Sequence, residues 1–341
     1  MSSPQPSARP AQLSRLVWWG ALLAVGWTLF PLLLFTDTLW REPSFMHTVL
    51  PGLYGSLEGL RPQEWREASV KIVPMRAVTL GLYFSLIGGI WVAYITAFRA
   101  ALRQGGRAQT HPLMGIITGV AIFGALALFW PSLFSPDVYA YAAQGKMQVA
   151  QGLNPLVDAP VKMGNDPLVN LSPWKDIPST YGPVWLAVTK SVAWVAEPLG
   201  GRPATYLLAF KLLNLGLIML GTALVWAIGG LLAWSTEHRR AACVLFGWCP
   251  LLVFDLVGSA HNDALLIVFI LAAIWLHLRG WWAGAIAAIM LGGLVKLSGF
   301  FLLPAYGVLL LRSSGKPKEA LRRAAIGLAV IAIPCLIYSM D

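Results

Sequence analysis

Leu113 to Phe134 is a run of 22 residues without one charged side chain, and Leu16–Phe35 and Ala77–Phe98 are comparable stretches. No other feature limits the fold so strongly. A bilayer's hydrocarbon core, about 30 Å thick, is crossed by roughly 20 apolar residues in an α-helix, and backbone groups inside it must find partners within the helix or a closed barrel. Runs of this length predict helices. Composition agrees, because 57% of residues are hydrophobic, 12% are charged and there are 16 Trp, values foreign to a water-soluble domain. Pro203–Trp234, broken only by Lys211, is a fourth predicted span, and Ala241–Val257, Asn262–Leu278, Trp281–Val295, Leu297–Leu311 and Ala324–Met340 are shorter ones. The expected fold class is all-α, a polytopic transmembrane helical bundle of nine spans.

Basic residues near helix ends are retained on the cytoplasmic side. With a cytoplasmic N-terminus, nine spans place Arg99, Arg103, Arg107, Arg239, Arg240, Arg279, Arg312, Arg322 and Arg323 inside, where the only acids are Glu237 and Glu319. The net charge of +10 therefore reports membrane orientation. Nucleic-acid binding is not expected, since it needs clustered bases with aromatics on a water-exposed face. Reading Trp281 to Leu311 as one helix would carry Arg312 to Arg323 outside, so the run is split at Lys296. Pro183–Ala196 is too short to span, carries Lys190, and is predicted to be an interfacial helix with Trp185 and Trp194 near the headgroups. The expected organisation is a disordered cytoplasmic tail, 1–15, and a single transmembrane domain, 16–341, with outer loops 36–76 and 135–202. Cys243, Cys249 and Cys335 all fall in predicted spans and suggest packing, not a disulfide framework.

The second outer loop opens with "SPDVYAYAAQGKMQVAQGLNP". At 100° per residue Asp137, Tyr141, Gln144 and Gln148 form one narrow stripe with Lys146 opposite. On a helix at the interface, that stripe would face a cavity or water while Ala, Val and Met pack inward. A plainer account is also available: Ser135 as N-cap, Pro136 at the first position and Asp137 favoured by the helix dipole.

Other polar groups gather on the same side. "GSAHNDALL" opens a span with His261, Asn262 and Asp263; capping accounts for Asn262 and Asp263 and leaves His261 over. "GGLVKLSG" sets Lys296 between two apolar runs on the outer side, where it needs an anionic partner or snorkels to the headgroups. "STYGPVW" is a turn in which Tyr181 is either a site residue or an interfacial aromatic.

Together, "FSPDVYAYAAQGKM", "QGLNP", "TYGPVW", "AHNDALL" and "LVKLSGFFLLP" resemble, in order, the polyprenyl-phosphate-mannose-dependent α-(1→6) mannopyranosyltransferases of actinobacteria, in the GT-C class of membrane glycosyltransferases. Leu156 stands where that family usually has an aromatic after Asn-Pro. The family also usually continues through further membrane helices, so a fragment or short variant is expected. The resemblance implies an inverting hexosyl transfer on the extracytoplasmic face of the cell membrane, from a polyprenyl-phosphate sugar to a glycan or glycolipid acceptor. It implies Asp137 as general base, Lys296 and His261 as donor-phosphate contacts, and Tyr141, Gln144, Asn154, Tyr181, Asn262 and Asp263 as acceptor or sugar contacts. Membrane lipids are the remaining expected partners. No cofactor is expected, and no metal, since the chain has no Asp-x-Asp pair. Two other classes stay open: a transporter or lipid-linked-sugar flippase, and a non-catalytic partner of an envelope-glycan assembly.

Overall fold

The computed structural model describes residues 15–34, 73–103, 111–129 and 135–314, with isolated positions between 318 and 329. Among the described residues there is no strand. Three long helices come first: α1 (Arg15–Leu34), α2 (Val73–Arg103) and α3 (Pro112–Leu128). The first two cover the uncharged runs predicted as spans. α3 ends at Leu128 with Phe129 as its C-cap, and residues 130–134 of the predicted span lie outside the described set. So do residues 1–14 of the predicted tail, most of the first predicted outer loop and most of Ala324–Met340.

The segment predicted as the second outer loop folds as α4 (Asp137–Ala150), a 3₁₀ turn at Pro160–Met163, α5 (Pro167–Leu171) and α6 (Pro183–Ala196). The long apolar helix α7 (Pro203–Leu231) follows, then α8 (Thr236–Gly247) and a π-helical turn at Leu252–Gly258 bent by 51° from α8. α9 (Asp263–Leu278), α10 (Trp282–Val295), a 3₁₀ turn at Leu297–Phe301 and α11 (Leu302–Ser314) complete the described chain. Among the described residues, Gly81–Arg103 and Pro203–Leu231 are long and apolar enough to cross a membrane, and the bent pair α8 with the π turn makes a third if taken as one span. α3, α9, α10 and the Leu297–Arg312 segment are apolar but shorter.

Two aromatic cores hold the helices. In the first, α1, α2, α3 and α8 meet around Leu23, Trp27, Ile90, Phe123 and Trp248. Trp27 lies 4.1 Å from Phe254 between ring centroids, and Trp248 meets Phe123 edge to face while its Nε1 donates to the Ile116 carbonyl at 3.1 Å. A buried indole N–H needs such an acceptor. The second core lies under the outer segment, where Tyr139, Tyr141, Trp185, Tyr206, Phe210 and Val295 are buried together.

That second core changes the expected placing of α4 and α6. α6 has the predicted boundaries, opening at Gly182-Pro183 because proline suits the first helical turn. Its Trp185, expected at the headgroups, is instead wholly buried between Tyr141 and Phe210; Trp194 is 59% exposed. α4 is enclosed on nearly every face, with Val138 to Gly145 and Met147 buried. Close approach is possible because a Cβ on Gly145 would collide with the Thr189 carbonyl of α6. The predicted stripe therefore does not face water along its length. Gln148 donates to the carbonyls of Gln144 and Leu186 and to Thr189 Oγ1, and Asp137 at the start of the stripe is half-buried. Lys146, on the opposite side, pairs with Asp166 at 2.8 Å and more distantly with Glu197.

Candidate active site

Five pieces of chain bring polar side chains to one place: the start of α4, the loop before α6, the π turn, the start of α9 and the residue after α10. Four of these lie at or beside helix ends and Asp255 sits within the π turn, so the direction of each is set by an apolar body packed elsewhere.

Asp137 begins α4, where its backbone N–H donates to Ser135 Oγ at 3.2 Å. Its carboxylate does not cap the helix. Oδ1 instead accepts from the Trp174 indole N–H at 2.8 Å, across 37 residues of the outer loop. One turn on, buried Tyr141 donates its hydroxyl proton to the Tyr181 hydroxyl at 3.3 Å. Burial pushes the Tyr141 phenol well above its ordinary value, with the charges of Asp137 and Asp263 acting the same way, and burial also raises Tyr181. Both phenols stay protonated at neutral pH and act as neutral hydrogen-bonding groups.

Tyr181 is placed by local chemistry. Ser179 donates its N–H to the Pro155 carbonyl at 2.7 Å and accepts the Tyr181 N–H on its hydroxyl at 3.1 Å. Gly182 then lies so close to the end of α10 that a Cβ would collide with the Leu294 carbonyl. The "QGLNP" segment thus buttresses the Tyr181 loop. Asn154 serves that turn itself: its Oδ1 accepts from the Leu156 N–H at 3.0 Å, and its own N–H donates to Asp158 Oδ2 at 2.9 Å.

Lys296 has extended backbone angles between α10 and the following 3₁₀ turn, so the predicted split falls where expected. Its partner is Asp263, whose two oxygens accept from Nζ at 3.0 and 2.9 Å. Asp263 also faces His261 Nδ1 at 3.7 Å, and Asp255 faces His261 Nε2 at 3.7 Å. Asp263 most, then Asp255 and Asp137, raise the His261 pKa against the opposing effect of burial. Asn262 occupies the N-cap position of α9 without making a cap bond; its side chain is wholly buried and both amide atoms lack a protein partner.

Of the predicted site residues, the structure brings Asp137, Tyr181, His261, Asp263 and Lys296 within electrostatic reach of one another. Tyr141 supports this group from below. Gln144 and Asn262 are buried, and Asn154 is half-buried and hydrogen-bonded within its own turn. Two members escaped the sequence reading. Trp174 carries no pattern that singles it out, but Asp255 does: a lone acid in an apolar run is a functional candidate by default. Among the described residues, no group of three or more His, Cys, Asp or Glu has the closeness of a metal site. An apolar groove of about 420 Å³ between α7, α8 and α9, lined by residues such as Val225, Leu245, Leu271 and Ile274, lies apart from these groups.

What the arrangement can do follows from its charges. A partly exposed carboxylate can take a proton from a hydroxyl. The ammonium of Lys296 and the imidazole of His261, whose charge state Asp137 also influences, can meet a developing negative charge. Neutral phenols can orient a polyol between them.

Over residues 44–312 the chain matches the family described as "Alpha-(1->6)-mannopyranosyltransferase, N-terminal domain". It is 28% identical over 257 residues to alpha-(1->6)-mannopyranosyltransferase B of Corynebacterium glutamicum, covering 69% of this chain and 41% of that protein. It is 30% identical over 208 residues to alpha-(1->6)-mannopyranosyltransferase A of Mycobacterium tuberculosis, covering 60% of this chain and 39% of that protein. A probable alpha-(1->6)-mannopyranosyltransferase of Mycolicibacterium smegmatis is 26% identical over 225 residues, with 61% and 36% covered. The chain thus spans about two fifths of the length of these relatives. No solved structure matches it.

Proposed function

The chain belongs to the alpha-(1->6)-mannopyranosyltransferase family, and from that premise we propose that it moves a hexose, in the first instance mannose, from a polyprenyl-phosphate donor to a glycan or glycolipid acceptor. Transfer inverts the anomeric centre and takes place on the extracytoplasmic face, in a bundle of nine spans whose N-terminus is cytoplasmic. No metal or cofactor takes part. The observation that carries this reading is the convergence of Asp137 with Lys296 and His261 from separate helix ends.

In this reading the Asp137 carboxylate, oriented by the Trp174 indole, removes the proton of the attacking hydroxyl. The acceptor oxygen bonds to the anomeric carbon as the bond to the phosphate oxygen breaks, and the electron pair leaves with the phosphate. Lys296 and His261 meet that charge, and Tyr181, backed by Tyr141, borders the acceptor. A transporter would concentrate ionisable groups near the bilayer midplane between internal repeats; here they gather at helix ends.

Replacing Asp137 by Asn tests the base directly, because the amide preserves size and still accepts the Trp174 hydrogen bond but takes no proton. Transfer from labelled polyprenyl-phosphate mannose by purified protein should fall by about 10² to 10⁴, with donor binding and melting temperature retained. Transfer within a few-fold of wild type would remove Asp137 from the mechanism.

A further inference from the structure

Asp255 has no role in the mechanism above, yet it faces one ring nitrogen of His261 while Asp263 faces the other, each at 3.7 Å. A neutral imidazole carries one N–H and one bare nitrogen, whereas an ionised carboxylate only accepts. Between two carboxylates, a neutral ring always turns a lone pair toward a negative charge. Only the doubly protonated ring offers an N–H to both. Two other charged groups lie near it: Asp137, from the start of α4, adds a third negative field, and Lys296, after α10, adds an opposing positive charge that Asp263 matches at 2.9 and 3.0 Å. Tyr141 and Tyr181 are neutral.

The arrangement is fixed from beneath. Asn214, wholly buried on α7, donates its Nδ2 to the Leu256 carbonyl at 2.6 Å and to the His261 carbonyl at 2.8 Å. One amide therefore ties the residue after Asp255 to His261 itself. Between them Ala260 has φ 57°, a left-handed conformation that a residue with a Cβ adopts only where its surroundings impose it. The loop is held in a bend that sets Asp255 against the ring.

We propose that Asp255 is a residue of this site which, with Asp263, keeps His261 as an imidazolium, a second cation beside Lys296 for an anionic leaving group, and that Asn214 is the positioning residue that holds Asp255 to it. This rests on the transferase reading of the same site. At 3.7 Å neither N–H is committed to a short hydrogen bond, so either can turn to a phosphate oxygen as the glycosidic bond breaks and the phosphate gains its second negative charge. The acceptor's proton goes to Asp137, and no further reactant is needed.

The test uses the purified protein without donor or acceptor. Diethyl pyrocarbonate acylates only the unprotonated imidazole, so the pH of half-maximal modification of His261, followed by mass spectrometry, reads its charge. The wild-type value should lie above that of histidine in a short peptide. Asp255→Asn should lower it by about one pH unit. Asn214→Ala should lower it in the same direction, and the double variant should go no lower than Asp255→Asn alone. A wild-type value at or below the peptide's, or an unchanged value in Asp255→Asn, overturns the proposal. Asp255 is partly exposed, so its variant remains informative even if removal of buried Asn214 prevents folding. A high His261 value in a protein that transfers no sugar would leave this inference standing and count against the transferase reading.

Discussion

At Lys296 the chain interrupts two apolar helices with one extended, charged residue, and the structure gives that residue a carboxylate partner. Asp263 thus holds the ammonium, and a donor phosphate would compete with it. Lys296→Met should lower kcat/KM for the donor by about tenfold or more, the order expected when one partner of a charged hydrogen-bonded contact is lost, with an intact fold. Unchanged donor dependence in a folded variant would leave Lys296 as a counter-ion of Asp263 alone. His261 gives a second reading of the same electrostatics. Because its folded pKa is raised, its pairing adds stability that is complete below the pKa of a free histidine and is lost as pH rises through the higher folded value. The melting temperature should therefore decline over that window in wild type more than in Asp255→Asn; equal declines would show that Asp255 is not coupled to the ring.

Helices α4 and α6 make the floor on which these residues stand, and their contact is the most sharply defined in the outer segment. Gly145→Ala drives a methyl into the Thr189 carbonyl and should destabilise the protein by about 1–3 kcal/mol, read as a lowered melting temperature. Trp185→Ala empties the space between Tyr141 and Phe210, with a loss of about 3–5 kcal/mol. Helix positions were legible in the sequence because their signals are local. Gly182-Pro183 marks the start of α6, and Lys296 between two apolar runs marks a break. Which face each helix buries was not legible, since Trp185 points inward only because α4 lies across it, and no pattern within α6 encodes that neighbour. The site divides along the same line. Asp137, His261, Asp263 and Lys296 stand out as polar residues at the ends of apolar runs. Asp255 was hidden inside one such run, and Asn214, a polar residue within a long apolar helix, shows its purpose only once the loop above it is seen.

Taken whole, the molecule is a helical bundle whose apolar helices hold a polar cluster at their ends, and the basic loops predict which side that cluster faces. A single cysteine in the 158–176 segment, in a protein without its native cysteines, should react with an impermeant thiol reagent in intact cells. Labelling in 103–109 instead would invert the orientation. The most direct measurement is transfer itself. The purified chain in lipid vesicles, given labelled polyprenyl-phosphate mannose and an α-(1→6)-linked mannose oligosaccharide, is predicted to place label on the acceptor, and to do so about 10² to 10⁴ more slowly when Asp137 is Asn. Label that stays with the lipid in the presence of bound donor and acceptor, or that moves equally fast in the Asp137→Asn protein, would contradict the account.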